Sequence, residues 1–169
     1  MGVGTASGAR LFIGSPSQVV FPVPDSPLSD IQVTALIAEF VQDSYIEVGE
    51  IEDMGEIGDE AETITFTSLQ DGRVRKFKGP RDAGTTAIVV GRDITDEGQA
   101  AMEAAEGQTF DYNIKIELND AITLGGDNTV QYFRAKVGSK RQNIGNASNI
   151  VRKTFNLLIN SSIVEEAAT

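Results

Sequence analysis

Between residues 109 and 119 apolar and polar side chains take strict turns: Tyr112, Ile114, Ile116 and Leu118 fall on one parity, and Asp111, Asn113, Lys115, Glu117 and Asn119 on the other. A period of two belongs to a strand with one buried face, because successive side chains of an extended chain point to opposite sides. Similar runs occur at 45–53, 62–69, 73–78 and 129–137, and at 149–159, where Val151, Phe155, Leu157 and Ile159 share a parity that Lys153 interrupts. Residues 10–13 read as a short strand ended by Gly14, and 85–91 as a more buried one. Asp71-Gly72 between two alternating runs predicts a tight type I′ hairpin, whose two central residues both need positive φ. One helix is predicted at Asp96 to Gly107: Asp96 as cap, Gln99 returning a bond to complete a capping box, then an alanine-rich run with a small stripe of Ala101, Met102 and Ala105. The reading is mainly β: a sandwich or small barrel of about seven or eight strands, with one short helix on the outside of a sheet.

Two segments break the pattern. Residues 1–9 carry Gly2, Gly4 and Gly8 in no phosphate-binding spacing and read as a flexible start. Residues 15–43 hold four of the five prolines, and fixed φ with missing amide donors forbids a central strand there. This Pro-rich insertion is expected as an extended arm or loop. Only from Asp30 does a weak helical pattern emerge, with Ile31, Ala35, Ile37, Ala38 and Val41 behind a cap at Ser29 or Asp30. The whole of 1–169 reads as one domain.

Composition removes most chemistry. With no Cys and no His, the chain offers no disulfide, no thiolate and no imidazole base. No apolar run approaches membrane length and the first residues lack the blocks of a secretory signal, so synthesis in the cytoplasm is expected, with no membrane partner. The net charge of −11 opposes binding to phosphate backbones. Charge is also segregated: residues 11–72 hold 13 carboxylates and no Lys or Arg, whereas 73–169 hold 13 basic residues against 12 acids. The acidic stretch from Glu47 to Glu62 lacks the residue order of a calcium loop. Arg73, Arg75, Lys76, Lys78 and Arg81 form a basic cluster better suited to a neighbour's carboxylates than to nucleic acid. No catalytic, metal or cofactor residue is nominated.

Taken in order, Arg10-Leu-Phe-Ile-Gly14, the stretch from Glu47 to Gly55 with Gly58, Ile64-Thr-Phe66, Leu69-Gln-Asp-Gly72, Arg75 to Gly79, Arg81 to Gly84, Asp96 to Ala100 with Ala104 and Ala105, Tyr132-Phe133 with Val137, and Ile144-Gly145 with Asn149 resemble the tail tube proteins of long-tailed, siphovirus-type phages. The likeness spans about 9–14 and 44–164, and the insertion at 15–43 departs from it. The resemblance implies a β-sandwich whose inner strands join in six-membered rings that stack into a hollow tube for DNA, in a virion tail assembled in the host cytoplasm. Its implied partners are further copies of itself and the tape measure, baseplate and tail terminator proteins, with DNA passing through unbound. Under that reading Glu47, Glu50, Glu52, Asp111 and Glu117 are the candidate acids of the lumen. Candidate contacts between subunits are Val19, Val20, Phe21 and Val23, the acids Asp53, Glu56, Asp59 and Glu60, and the cations Arg73, Arg75, Lys76 and Lys78. The rival readings are a terminator or baseplate hub of the same fold, a non-viral β-sandwich binding module, for which aromatic platforms are scarce, and an acid-base hydrolase.

Overall fold

The computed structural model describes residues 6–17 and 29–169. It is mainly β: ten strands and two helices, in the order β1 (Arg10–Ser17), α1 (Asp30–Val41), β2 (Ile46–Val48), β3 (Ile51–Asp53), β4 (Glu60–Thr67), β5 (Val74–Asp82), β6 (Thr85–Gly91), α2 (Glu97–Glu106), β7 (Asp111–Glu117), β8 (Val130–Asn143), β9 (Arg152–Ile159) and β10 (Val164–Glu166). The main sheet runs β2-β1-β7-β8-β9-β6-β3, with β10 added on β8, and every pairing is antiparallel. Its first and last strands, β2 and β3, are two halves of one segment separated only by Gly49 and Glu50. The expected single strand at 45–53 therefore breaks, and Glu50, at φ 56°, turns it. Because the two edges are joined there, the sheet curls into a small barrel.

The parity of the strands fills the interior. Leu11, Ile13, Val48, Ile88, Val90, Ile114, Ile116, Phe133, Ala135, Val137, Phe155, Leu157 and Ile159 form one buried cluster. Each is contributed by an inward position of an alternating run, as burial of one face requires. At Gly138 the pairing of β8 with β9 shifts by one residue, and β8 continues to Asn143. The connection to β9 is thus shorter than the gap between the alternating runs at 129–137 and 149–159.

Helix α2 flanks the sheet as expected, and its small stripe is the face that packs on the core, with Met102 and Ala105 buried and Ala101 against them. Asp96 caps it, accepting a bond from the Gln99 amide at 2.6 Å. The Gln99 side chain does not complete a capping box. It lies 1% exposed and donates to the carbonyls of Gly49 and Gly91, at 3.3 and 2.8 Å, while accepting from the Asp93 amide. One buried amide therefore ties the β2–β3 corner and the end of β6 to the helix.

The second helix, α1, stands where the weak helical pattern from Asp30 was expected, and of the Pro-rich arm expected over 15–43, residues 18–28 lie outside the described residues. β1 runs on to Ser17, with Pro16 beyond the stretch that pairs β2 and just past the irregularity in its register with β7. Ser29 and Gln32 form a full capping box on α1. The buried face of α1 is not the stripe read from sequence: Ile31 is 82% exposed, and Phe40, backed by Val33, Leu36 and Ile37, packs on Tyr132 and Val164. Phe40 stacks on Tyr132 with centroids 5.4 Å apart. Beneath this helix Arg134, 2% exposed, donates to Asn113 Oδ1 and Glu39 Oε1, both at 3.0 Å, and Asn113 donates to Asp43 at 2.8 Å. α1 covers the outer face of β8 and β10 through these contacts.

Candidate assembly surface

β4 and β5 form a two-stranded sheet of their own, separate from the barrel. The register sets Ile64 opposite Phe77 and Phe66 opposite Arg75, so Ile64, Phe66 and Phe77 share one face of the ribbon. They are 49%, 54% and 56% exposed. Thr63, Thr65 and Thr67 share the other face with Lys78, Lys76 and Val74. Gly79 lets Ile64 lie flat across the ribbon, its Cγ1 3.0 Å from where a Cβ would stand. Pro80 is tolerated in β5 because a two-stranded ribbon consists of edges. The tip is not the expected type I′ turn. Its connection runs from Ser68 to Arg73, Gly72 alone has positive φ, and Asp71 instead accepts bonds from the Arg73 amide and the Arg75 guanidinium, each at 3.0 Å. An isolated two-stranded ribbon is marginal in water, and this one leaves its apolar face uncovered.

The acids named from sequence have mixed surroundings. Glu47 accepts two bonds from Arg10, at 2.9 and 2.7 Å, and that hydrogen bonding holds its carboxyl below the ordinary value against a smaller cost of burial. Glu52 pairs with Arg152, which lowers its carboxyl in the same way. Asp111 accepts from Lys136 at 2.7 Å and from Asn160 at 2.9 Å. Glu117 lies 3.6 Å from Lys115 and accepts from Asn128. Only Glu50 of the five has no such cation among the described residues. The candidate lumen acids are therefore largely paired inside their own subunit, and Arg10 and Lys115 draw Glu47 and Glu117 into one cluster of charges.

Of the candidate contacts between subunits, Val19, Val20, Phe21 and Val23 lie outside the described residues. Asp53 caps the Gly55 amide at 2.9 Å, and Asp59 pairs with Arg81 at 2.7 Å. Glu56, Glu60, Arg73, Lys76 and Lys78 carry no ion pair among the described residues, and Arg75 pairs only with Asp71 at the tip. Sequence reasoning missed the apolar face of the ribbon. The signal was present in the parity of Ile64, Phe66 and Phe77, but alternation alone does not say whether a face is buried.

The described residues hold no group of three His, Cys, Asp or Glu that could bind a metal, and no helix among them is long and apolar enough to cross a membrane. Every buried side-chain polar atom among them has a hydrogen-bond partner. A half-open cavity of about 640 Å³ at one mouth of the barrel is lined by Ile51, Met54, Ile57, Ile116 and Leu118, with Glu52 and Asp53 in its wall.

No protein-family model matches the chain, and no curated protein matches it by sequence. Solved structures do. A chain of the six-fold symmetrised cryo-EM structure of the anti-feeding prophage baseplate aligns over 100% of this chain and 99% of its own, at TM-score 0.66 and 10% identity. A chain of the sheath/tube terminator of an extracellular contractile injection system, in the extended state, aligns over 99% of both at TM-score 0.64 and 13% identity. The SPP1 tail tube protein aligns over 94% of this chain and 77% of its own at TM-score 0.58 and 11% identity. At these identities the likeness is one of fold, and the fold is tail-tube-like.

Proposed function

We propose that this protein is a structural subunit, not an enzyme, of the tube of a phage tail or a related injection apparatus. It assembles with copies of itself into six-membered rings that stack around a passage, in a phage case a conduit through which DNA leaves without being bound. The observation that carries this reading is the β4–β5 ribbon. It leaves the barrel with an apolar face of Ile64, Phe66 and Phe77 exposed, a surface that a neighbouring subunit would remove from water. A heterologous contact of that kind closes into a ring by rotation and continues into a tube by translation. The full-length fold likeness to chains of six-fold and tubular assemblies supports the same reading.

Concentrated wild-type protein is expected to show rings or tubes in negative stain, and Ile64→Ser with Phe77→Ser to remain monomeric with an intact barrel. A wild-type chain that sediments as a monomer at every concentration, salt and pH tried would overturn the proposal. A second reading, a terminator or baseplate component, is favoured by the near-complete mutual coverage of those two likenesses against 77% of the tail tube chain. Single closed rings that never lengthen, present at a few copies per particle, would select it over the tube subunit. The lumen lining belongs to the proposal too. Glu50 remains a candidate for it, whereas paired acids such as Glu47 and Asp111 would present little net charge.

A further inference from the structure

At the C-terminal end of β6 a pocket of about 290 Å³ is lined by Arg92, Lys140, Arg141 and Lys153, with Gln142 and a single acid, Glu103. Glu103 pairs with Lys153, and Glu106 with Lys140 at 3.2 Å. Arg92 and Arg141 form no ion pair among the described residues, although Arg92 is near enough to help depress the Glu103 carboxyl, and both are exposed. In a chain of net charge −11, this is a local surplus of positive charge held around a concavity.

The opposite end of β6 carries the reverse. Thr85 pairs with Leu158 and Gly91 with Arg152, so the two ends of β6 lie at opposite ends of β9, about 20 Å apart at strand rise. Just before Thr85, a second hollow of about 420 Å³ at the foot of the β4–β5 ribbon is lined by Glu60, Glu62, Asp82 and Arg81. Arg81 is engaged by Asp59. Glu60, Glu62 and Asp82 have no cation among the described residues. One subunit thus displays unpaired cations at one end of a strand pair and unpaired carboxylates at the other.

We propose that the pocket of Arg92, Lys140, Arg141 and Lys153 receives the carboxylates of Glu60, Glu62 and Asp82 from a second copy of this chain, making the axial, ring-to-ring contact. The inference rests on the assembly reading above and adds its polarity. Matching a cationic end to an anionic end selects head-to-tail stacking, because head-to-head and tail-to-tail encounters oppose like charges.

The test uses two full-length variants, Arg92→Glu with Arg141→Glu, and Glu60→Lys with Glu62→Lys. All four positions are exposed, and thermal melting checks that each variant folds; glutamine at the same positions is the milder substitute. Each variant alone is expected to raise the protein concentration needed for tubes at least tenfold. Mixed one to one, they are expected to recover wild-type assembly, because each supplies the charge the other reversed. Folded variants that assemble like wild type, or a mixture that fails to recover, would overturn this contact and leave the assembly reading standing. A wild-type chain that never assembles removes both. Retention of a short DNA duplex at physiological salt, lost in Arg92→Glu with Arg141→Glu, would assign the pocket to phosphates instead.

Discussion

Gly98 marks the tightest backbone approach between α2 and the barrel. A Cβ there would stand 2.0 Å from the Glu47 carbonyl oxygen and 2.6 Å from Val48 Cα. Both are backbone atoms of β2, so neither swings aside as a flexible side chain would. Gly98→Ala is expected to push the helix off β2 and cost about 3 kcal/mol, seen as a lower urea midpoint. An unchanged midpoint would mean that the helix reseats freely. Asp43 governs a second residue-scale effect. Burial opposes its ionisation, but bonds from Ser15 and Asn113, with a further one from the Ser44 amide, outweigh that and hold its carboxyl below the ordinary value. Hydrogen bonding from Lys153 depresses Glu103 and the Thr129 amide depresses Asp120. Groups whose folded values lie below their unfolded ones contribute stability that is complete well above about pH 4 and is lost as pH falls through the folded values. The unfolding free energy should therefore decline from about pH 4 downward. Asp43→Asn should lower stability at pH 7 and flatten that acid limb. An equally steep limb in the variant would assign the effect to the other carboxyls.

The two appended elements differ in what holds them. α1 is anchored by Phe40 against Tyr132 and Val164, with Arg134 passing beneath the ring at 5.5 Å. Phe40→Ala should cost about 3–5 kcal/mol of local stability by opening a cavity under the helix. Hydrogen exchange should then show amides of 30–41 losing protection while those of β7, β8 and β9 keep theirs. Loss of protection throughout would show that helix and barrel unfold as one unit. The β4–β5 ribbon is held by its own ladder. Its amides are expected to exchange quickly in the free subunit and slowly once a neighbour covers Ile64, Phe66 and Phe77, and equal protection in both states would count against the ribbon as a contact.

For the whole molecule, charge and apolar surface make separable demands. Raising the salt from about 0.05 to 0.5 M shortens the screening length from roughly 14 to 4 Å, which weakens charge contacts and leaves apolar burial nearly untouched. Tubes are therefore expected to shorten toward single rings as salt rises, because stacking joins opposite charges while the ribbon's face is apolar. Sedimentation across that range measures it. Tubes that lengthen with salt would show that repulsion between subunits of net −11 dominates instead.

The sequence by itself determined the class of fold and most of the barrel's interior. Ile114, Ile116, Phe155 and Leu157 are buried as their parity requires, and Asp96 starts α2 where its side chain can meet the first free amides. Periodicity and capping are local, so they survive in a bare string of residues. The tertiary structure alone decided what depends on which distant segments meet. It bent 45–53 at Glu50, turned Gln99 inward to the carbonyls of Gly49 and Gly91, and rotated α1 onto Phe40. It also joined Glu47 to Arg10 across 37 residues and Glu52 to Arg152 across 100, so acids that read as a free anionic surface are largely paired. A two-residue period states which side chains share a face. It does not state the order of strands in the sheet, and that order sets which charges become neighbours and which apolar face is left open to water.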